Sequence, residues 1–171
     1  MPRATGFTLI ELMFVVALIA VLLSIGAPAL TTMVINNRIS TAASDLMSDL
    51  SFARATAISR TQPIRICASN DQATCNGTSW AQGWMVFVDT NDNANWDAGE
   101  TIVRVREELA GALSVTPAPL AFDIVFRPSG RPGVARTFQV CKAGFIGRNI
   151  VLNATGRAVS TPTTTVLTTC S

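Results

Sequence analysis

Residues 6–30 read GFTLIELMFVVALIAVLLSIGAPAL. From Phe7 to Leu30 the only charged side chain is Glu11, and every residue from Leu12 to Leu23 is apolar. As a helix these 24 residues span about 36 Å, enough to cross a hydrocarbon core of roughly 30 Å. Beyond Leu30 the chain turns polar and mixed, so it crosses a membrane once at most. A secretory signal peptide would have a basic start, a shorter apolar core and a small-residue cleavage site after it. Here the run is long and only Arg3 is basic before it.

Working outward, residues 31–60 keep a helical period. Ile39, Ala43, Leu46, Leu50, Ala53 and Ala57 recur at 4-3-4-3-4 spacing, one stripe with no Gly or Pro inside it. Pro63 ends the helix, because the residue before a proline is driven from the α region. The apolar run and this stripe are expected to form one long helix, bent or locally melted at Gly26 and Pro28. The small residues of the stripe let a sheet lie close upon it. After Pro63 the period becomes two. Ile64 and Ile66, residues 84–89, 101–106, 120–126, 137–141 and 149–153 read as strands, with Leu120, Phe122, Ile124 and Phe126 on one face. PSGRPG (128–133) and NATG (153–156) read as turns. The Thr-rich tail after Val159 gives weak signals. The fold class expected is α+β: a long N-terminal helix packed on an antiparallel sheet.

The first 30 residues resemble the N-terminus of type IV prepilins and type II secretion pseudopilins, whose hallmark is a short leader ending in Gly, then Phe-Thr-Leu-Ile-Glu and an apolar helix. The resemblance implies a leader at 1–6, a transmembrane and assembly helix at 7–30, and a head at 31–171 that includes the second half of the helix. It implies cleavage between Gly6 and Phe7 by a prepilin peptidase and methylation of the Phe7 amine. Glu11 becomes an assembly residue and Pro28 a helix-bending one. The rest of the chain is similar to the GspH/FimT group of minor pilins and pseudopilins, on residues 48–66, the hairpin GWMVFVDTNDNANWDAGE (83–100) and the turn NATGRAVS (153–160). That group implies a non-catalytic subunit without cofactor, at the initiating end or tip of a pilus or secretion pseudopilus. Its partners would be other pilins and an inner-membrane assembly platform. The chain would start in the inner membrane, single-pass, with a periplasmic head, and end in the filament.

A carboxylate near a bilayer centre costs about 2.5–3.5 kcal/mol unless neutralised. Leader removal would create the neutralising group, the Phe7 ammonium. It lies four residues from Glu11 on the same helix face, and the ammonium of an adjacent subunit is the better-placed partner.

The 171 residues contain no His and no Tyr, which removes Ser-His-Asp and Cys-His catalysis and His-rich metal sites. The four cysteines show no C-x-x-C spacing. They allow three pairings, and disulfides are expected beyond a membrane. The pairing adopted joins neighbours, Cys67 with Cys75 and Cys141 with Cys170, the second fastening the tail. The loop 89–100 matches a calcium-loop template at Asp89, Asn91, Asn93 and Glu100, with Asp97 at the ninth position, but Ala94 replaces the turn glycine. Calcium is therefore a minor option beside a plain polar hairpin. Residues 1–123 hold seven basic and eleven acidic side chains, and residues 124–171 hold six basic and none acidic. Such a split suits a polyanion or an acidic partner. Gly156-Arg157 resembles part of the GRxR motif of DNA-binding FimT-type pilins, with Val159 in place of the second arginine. A DNA receptor using Arg157, Arg148 and Lys142 is the alternative function.

Overall fold

The computed structural model describes residues 8–170. It divides into two compact units, Met1–Ile35 and Asn36–Ser171. One helix, α1 (Leu9–Arg60), supplies most of the first unit and opens the second. Helical backbone is continuous through Gly26 and Pro28, so the chain does not melt there; a proline forfeits one intrahelical bond while its neighbours keep theirs. In the first unit the side chains of Leu9, Phe14, Leu22 and Leu30 are exposed, as are the other large apolar residues described between them.

In the second unit the predicted stripe is the buried face of α1. Ile39, Ala43, Leu46, Leu50, Ala53 and Ala57 are all buried. Each leucine removed from water stabilises by about 1.5–3 kcal/mol, and the alanines let backbone approach. The helix stops at Thr61, which takes a left-handed φ of 55°, two residues before Pro63.

Eight strands follow: β1 (Ile64–Ala68), β2 (Trp84–Val88), β3 (Ile102–Arg106), β4 (Ser114–Ala118), β5 (Asp123–Phe126), β6 (Arg136–Cys141), β7 (Phe145–Leu152) and β8 (Ala158–Leu167). They form two four-stranded antiparallel sheets, β3-β2-β1-β5 and β4-β6-β7-β8, rather than the single sheet expected. Every residue of β1 and β2 is buried, because both faces of the first sheet are covered. Ile64, Ile66, Trp84 and Val86 share the helix face, in the register Ile64↔Val88, Ile66↔Val86 and Ala68↔Trp84. On the far face Cys67, Met85 and Phe87 form a second small core under Cys75, Trp96 and Ile102. Cys67 is bonded to Cys75, and the loop so closed lies over that face. Asp71 organises it, accepting from the amides of Ala73 and Thr74, both at 2.9 Å, and from side chains of Thr74, Asn76 and Ser69. These donors, the Ala73 amide foremost, hold its carboxyl well below the usual carboxylate range.

Three sequence expectations are corrected. β4 is absent from the sequence reading; it contains Pro117 and sits at a sheet edge, where proline is tolerated. The strand expected at 120–126 begins only at Asp123, and Leu120 and Phe122 are 69% and 42% exposed. The tail is a ten-residue strand, β8, also at an edge. Its end is joined to β6 through the Cys141–Cys170 disulfide.

Candidate functional site

The N-terminal segment is built around Thr8 and Glu11. The Thr8 hydroxyl accepts the Glu11 amide at 3.3 Å and the Thr8 carbonyl accepts the Leu12 amide at 3.2 Å. Thr8 therefore caps α1 and places Glu11 in its first turn, where the helix dipole favours a negative charge. The motif Thr-Leu-Ile-Glu thus has a local role that the sequence reading passed over, although S/T-x-x-E is a helix-start signature. The Glu11 carboxylate has no partner among the described residues. Around it lies a continuous exposed apolar surface, larger than soluble monomers ordinarily show. α1 is long and apolar enough to cross a membrane. Gly6 and Phe7, the expected cleavage and methylation positions, lie outside the described residues, as does the Phe7 amine.

Among the described residues no group of three or more His, Cys, Asp or Glu side chains is arranged to hold a metal ion. The calcium-loop residues Asp89, Asp97 and Glu100 accept hydrogen bonds from protein donors. Asp89 is buried and accepts from Arg65 Nε at 2.7 Å and from the amides of Asn93 and Ala94. Asp97 accepts from the side-chain amides of Asn91 and Asn93 at 2.8 and 2.6 Å. Glu100 accepts from the backbone of Thr90 and Asp97. Ala94 holds a φ of 72°, the left-handed turn that the template gives to glycine.

Two charge clusters escaped the sequence reading. Arg65, in β1, is nearly buried and bonds Asp89, Asp92 and Asp123, while Arg127 bonds Asp92 as well. Asp49 is fully buried on α1 and accepts from Trp84 Nε1 at 2.9 Å, Arg104 at 2.7 Å and Arg106 at 3.2 Å. Asp45, one turn earlier, meets Arg106 at 3.5 Å. Arg104 also lies over the Phe52 ring, 3.8 Å from its centroid. An aspartate beside Leu46, Leu50 and Ala53 in the apolar stripe was the available signal.

The structure does not gather the three candidate DNA contacts. Lys142 Nζ donates to the Gly111 carbonyl at 2.8 Å, and Arg148 Nε donates to Ser40 Oγ at 3.1 Å. Arg148 pairs with Pro162 and Leu152 with Ala158, so Arg148 and Arg157 are separated by about 13 Å or more along the strands. Arg157 instead joins Arg54 at a cavity of about 190 Å3 also lined by Ser51, Ala55, Ile58, Gly156 and Ala158. Arg54 Nε donates to the Gly130 carbonyl at 3.1 Å. Gly156 has a φ of 82°, and a Cβ there would fall 2.1 Å from that same carbonyl, so the turn packs closely only as glycine.

This architecture can be set beside known proteins. The sequence profile described as "Type II transport protein GspH" matches residues 42–156. The profile "Prokaryotic N-terminal methylation motif" matches residues 1–27. The pilin-like protein PilA1 of Thermus thermophilus is 30% identical over 166 residues, covering 90% of this chain and 96% of the relative. The type IV minor pilin FimU of Pseudomonas aeruginosa (strain PAO1) has a similar fold. Its P21 crystal form gives a TM-score of 0.58 at 23% identity, covering 74% of this chain and 90% of FimU. Its P65 form gives 0.55 at 22% identity, covering 72% and 92%. With the head matched by one profile and the N-terminal segment by the other, the chain belongs to the GspH family, within the type IV pilin and pseudopilin group.

Proposed function

We propose that this chain is a non-catalytic minor subunit drawn from the inner membrane into a type IV pilus or a type II secretion pseudopilus, at its initiating end or tip. The observation that carries this reading is the exposed apolar surface of α1 from Leu9 to Leu30, with Glu11 as its one charge. Such a surface is stable only against lipid or against other apolar helices, which are the two states of a pilin before and after assembly. In this reading a prepilin peptidase removes residues 1–6 and methylates the Phe7 amine. That amine stays cationic and neutralises Glu11 of the neighbouring subunit as the assembly platform lifts the chain. Glu11 then sets the axial register, because only one position satisfies both charges in a medium where an unpaired one is costly.

Glu11→Ala tests this directly. The variant is expected to insert in the membrane and lose its leader normally, yet to be depleted from the sheared filament fraction. Incorporation equal to wild type would remove the register role. N-methylphenylalanine at the mature N-terminus, read by mass spectrometry, checks the processing step. A deletion that abolishes piliation assigns the chain to a pilus, and one that abolishes secretion assigns it to a pseudopilus.

A further inference from the structure

Apolar character in α1 runs past Leu30 to Met33, Val34 and Ile35, and Asn36, Asn37 and Arg38 follow. The span to Leu30 already covers a hydrocarbon core. Residues 31–35 add about 7.5 Å of helix, close to the depth of one headgroup layer. In the membrane-bound state the head, which starts at Asn36, therefore begins at the bilayer surface. What it carries level with residues 36–40 meets lipid headgroups.

A cavity of about 210 Å3 lies at that level. Asn36, Ser40 and Arg148 are its polar lining, and the exposed Ile146 and Pro162 are part of its apolar lining. Arg148 Nε donates to Ser40 Oγ at 3.1 Å. That bond fixes the guanidinium against α1 and leaves its two terminal nitrogens without an acceptor among the described residues. The Asn36 side-chain amide has no partner among them either. No carboxylate lines the cavity, and residues 124–171 contain none. Asp45, the next acidic residue along α1, is taken by Arg106. Arg38 and Lys142 both meet Gly111, just past Glu108, and balance the Glu107–Glu108 loop within the chain. Among the described residues Arg148 is then the charge at this end of the head that nothing offsets. Beside it the exposed Ile146 pairs across the sheet with the exposed Val166, apolar surface of the kind that membrane-surface segments press into the interface.

We infer that this cavity holds the phosphate of an anionic phospholipid while the subunit waits in the membrane. The Arg148 guanidinium and the Asn36 amide donate to the phosphate oxygens, a charge-assisted geometry that guanidinium suits well. The contact settles the head on the bilayer in one orientation, and lifting the subunit into a filament breaks it. The inference rests on the membrane reading above.

The test places the full chain in phosphatidylcholine nanodiscs carrying increasing fractions of phosphatidylglycerol. The amide shifts of Ser40, Gly147 and Arg148 are expected to move and to saturate as phosphatidylglycerol rises. Arg148→Gln should weaken the apparent affinity about fivefold, the factor that one basic residue contributes near an anionic surface. Arg131→Gln, beside Gly130 at the far end of the head where Ile58 packs, should leave it unchanged. If Arg148→Gln loses the fold of the head, Ile146→Asp keeps the Arg148–Ser40 bond and sets a carboxylate at the cavity, with the same loss expected. An unchanged titration in folded Arg148→Gln or in Ile146→Asp would overturn the site. Equal weakening by Arg131→Gln would do so too, since it marks a diffuse charge effect. So would equal shifts from inorganic phosphate in pure phosphatidylcholine discs, the signature of a free anion. A chain that does not enter the discs would overturn the membrane reading itself, a distinct result.

Discussion

At the scale of single residues, Asp49 ties α1 to β2 and β3. Its two oxygens hold an indole N–H and two guanidiniums. Asp49→Ala leaves those donors facing a cavity, although Arg104 and Arg106 are about a third exposed and can turn to water. The expected loss is therefore about 2–3 kcal/mol, below the full cost of stranding a buried charge, read as a lower urea midpoint by tryptophan fluorescence. Asp71 gives a pH signature. Its folded carboxyl is held below the ordinary value of 3.8, so its contribution is fully present above that pH and is lost as pH falls toward the folded value. The amide shifts of Ala73 and Thr74 should begin to move only well below pH 4, and in Asp71→Asn they should not titrate. The pairing of the four cysteines was legible from the sequence. Asp49 and Arg65 were not, because their partners lie 24 to 58 residues away in sequence, and spacing reports only what is local.

Elements were legible in proportion to how their burial alternates. The stripe of α1 and strands β6 and β7 bury apolar side chains near the period of their own geometry, and β1 and β2, buried at every residue, show instead as short runs rich in apolar residues. β8 buries almost nothing; its threonines favour extended backbone, but no hydrophobic alternation marks it, and only pairing with β7 reveals it. Leu120 and Phe122 mislead for the opposite reason, as apolar residues in period two that the chain leaves outside. The finding about β8 sharpens a prediction. Because Ser160, Thr161 and Pro162 are already in register with β7, Cys170→Ser should not unzip the strand. Its cost should come from the unfolded state, where a bridge between residues 29 apart is worth about 3–4 kcal/mol. Hydrogen exchange should show the amides of residues 158–161 still protected while the unfolding midpoint drops. Loss of protection throughout β8 would show that the bridge, not the ladder, holds it.

For the whole molecule, the boundary between the two units falls after Ile35, five residues beyond the expected end of the assembly segment. The head from Asn36 has its own core, both sheets and both disulfides, so a chain lacking residues 1–35 should fold cooperatively in water without detergent. A single urea transition with intact near-UV dichroism checks this, and a molten head would show that the first unit is needed. The fold class was legible because one helix changes character along its length, apolar all round and then striped. The division into two sheets was not, since strand order depends on non-local pairing. The acidic and basic rows between α1 and β3 bear on how the head is handled once assembled. Asp45 and Asp49 are one helical turn apart, about 6 Å, and Arg104 and Arg106 are two strand residues apart, about 6.6 Å. The matched spacing keys β3 to α1 like teeth on two racks. A tensile load drawn along the helix would meet these bonds in parallel, so that they yield together rather than peel one by one. A subunit hauled through a cell envelope by its helix would keep its head seated up to the force that breaks the whole row.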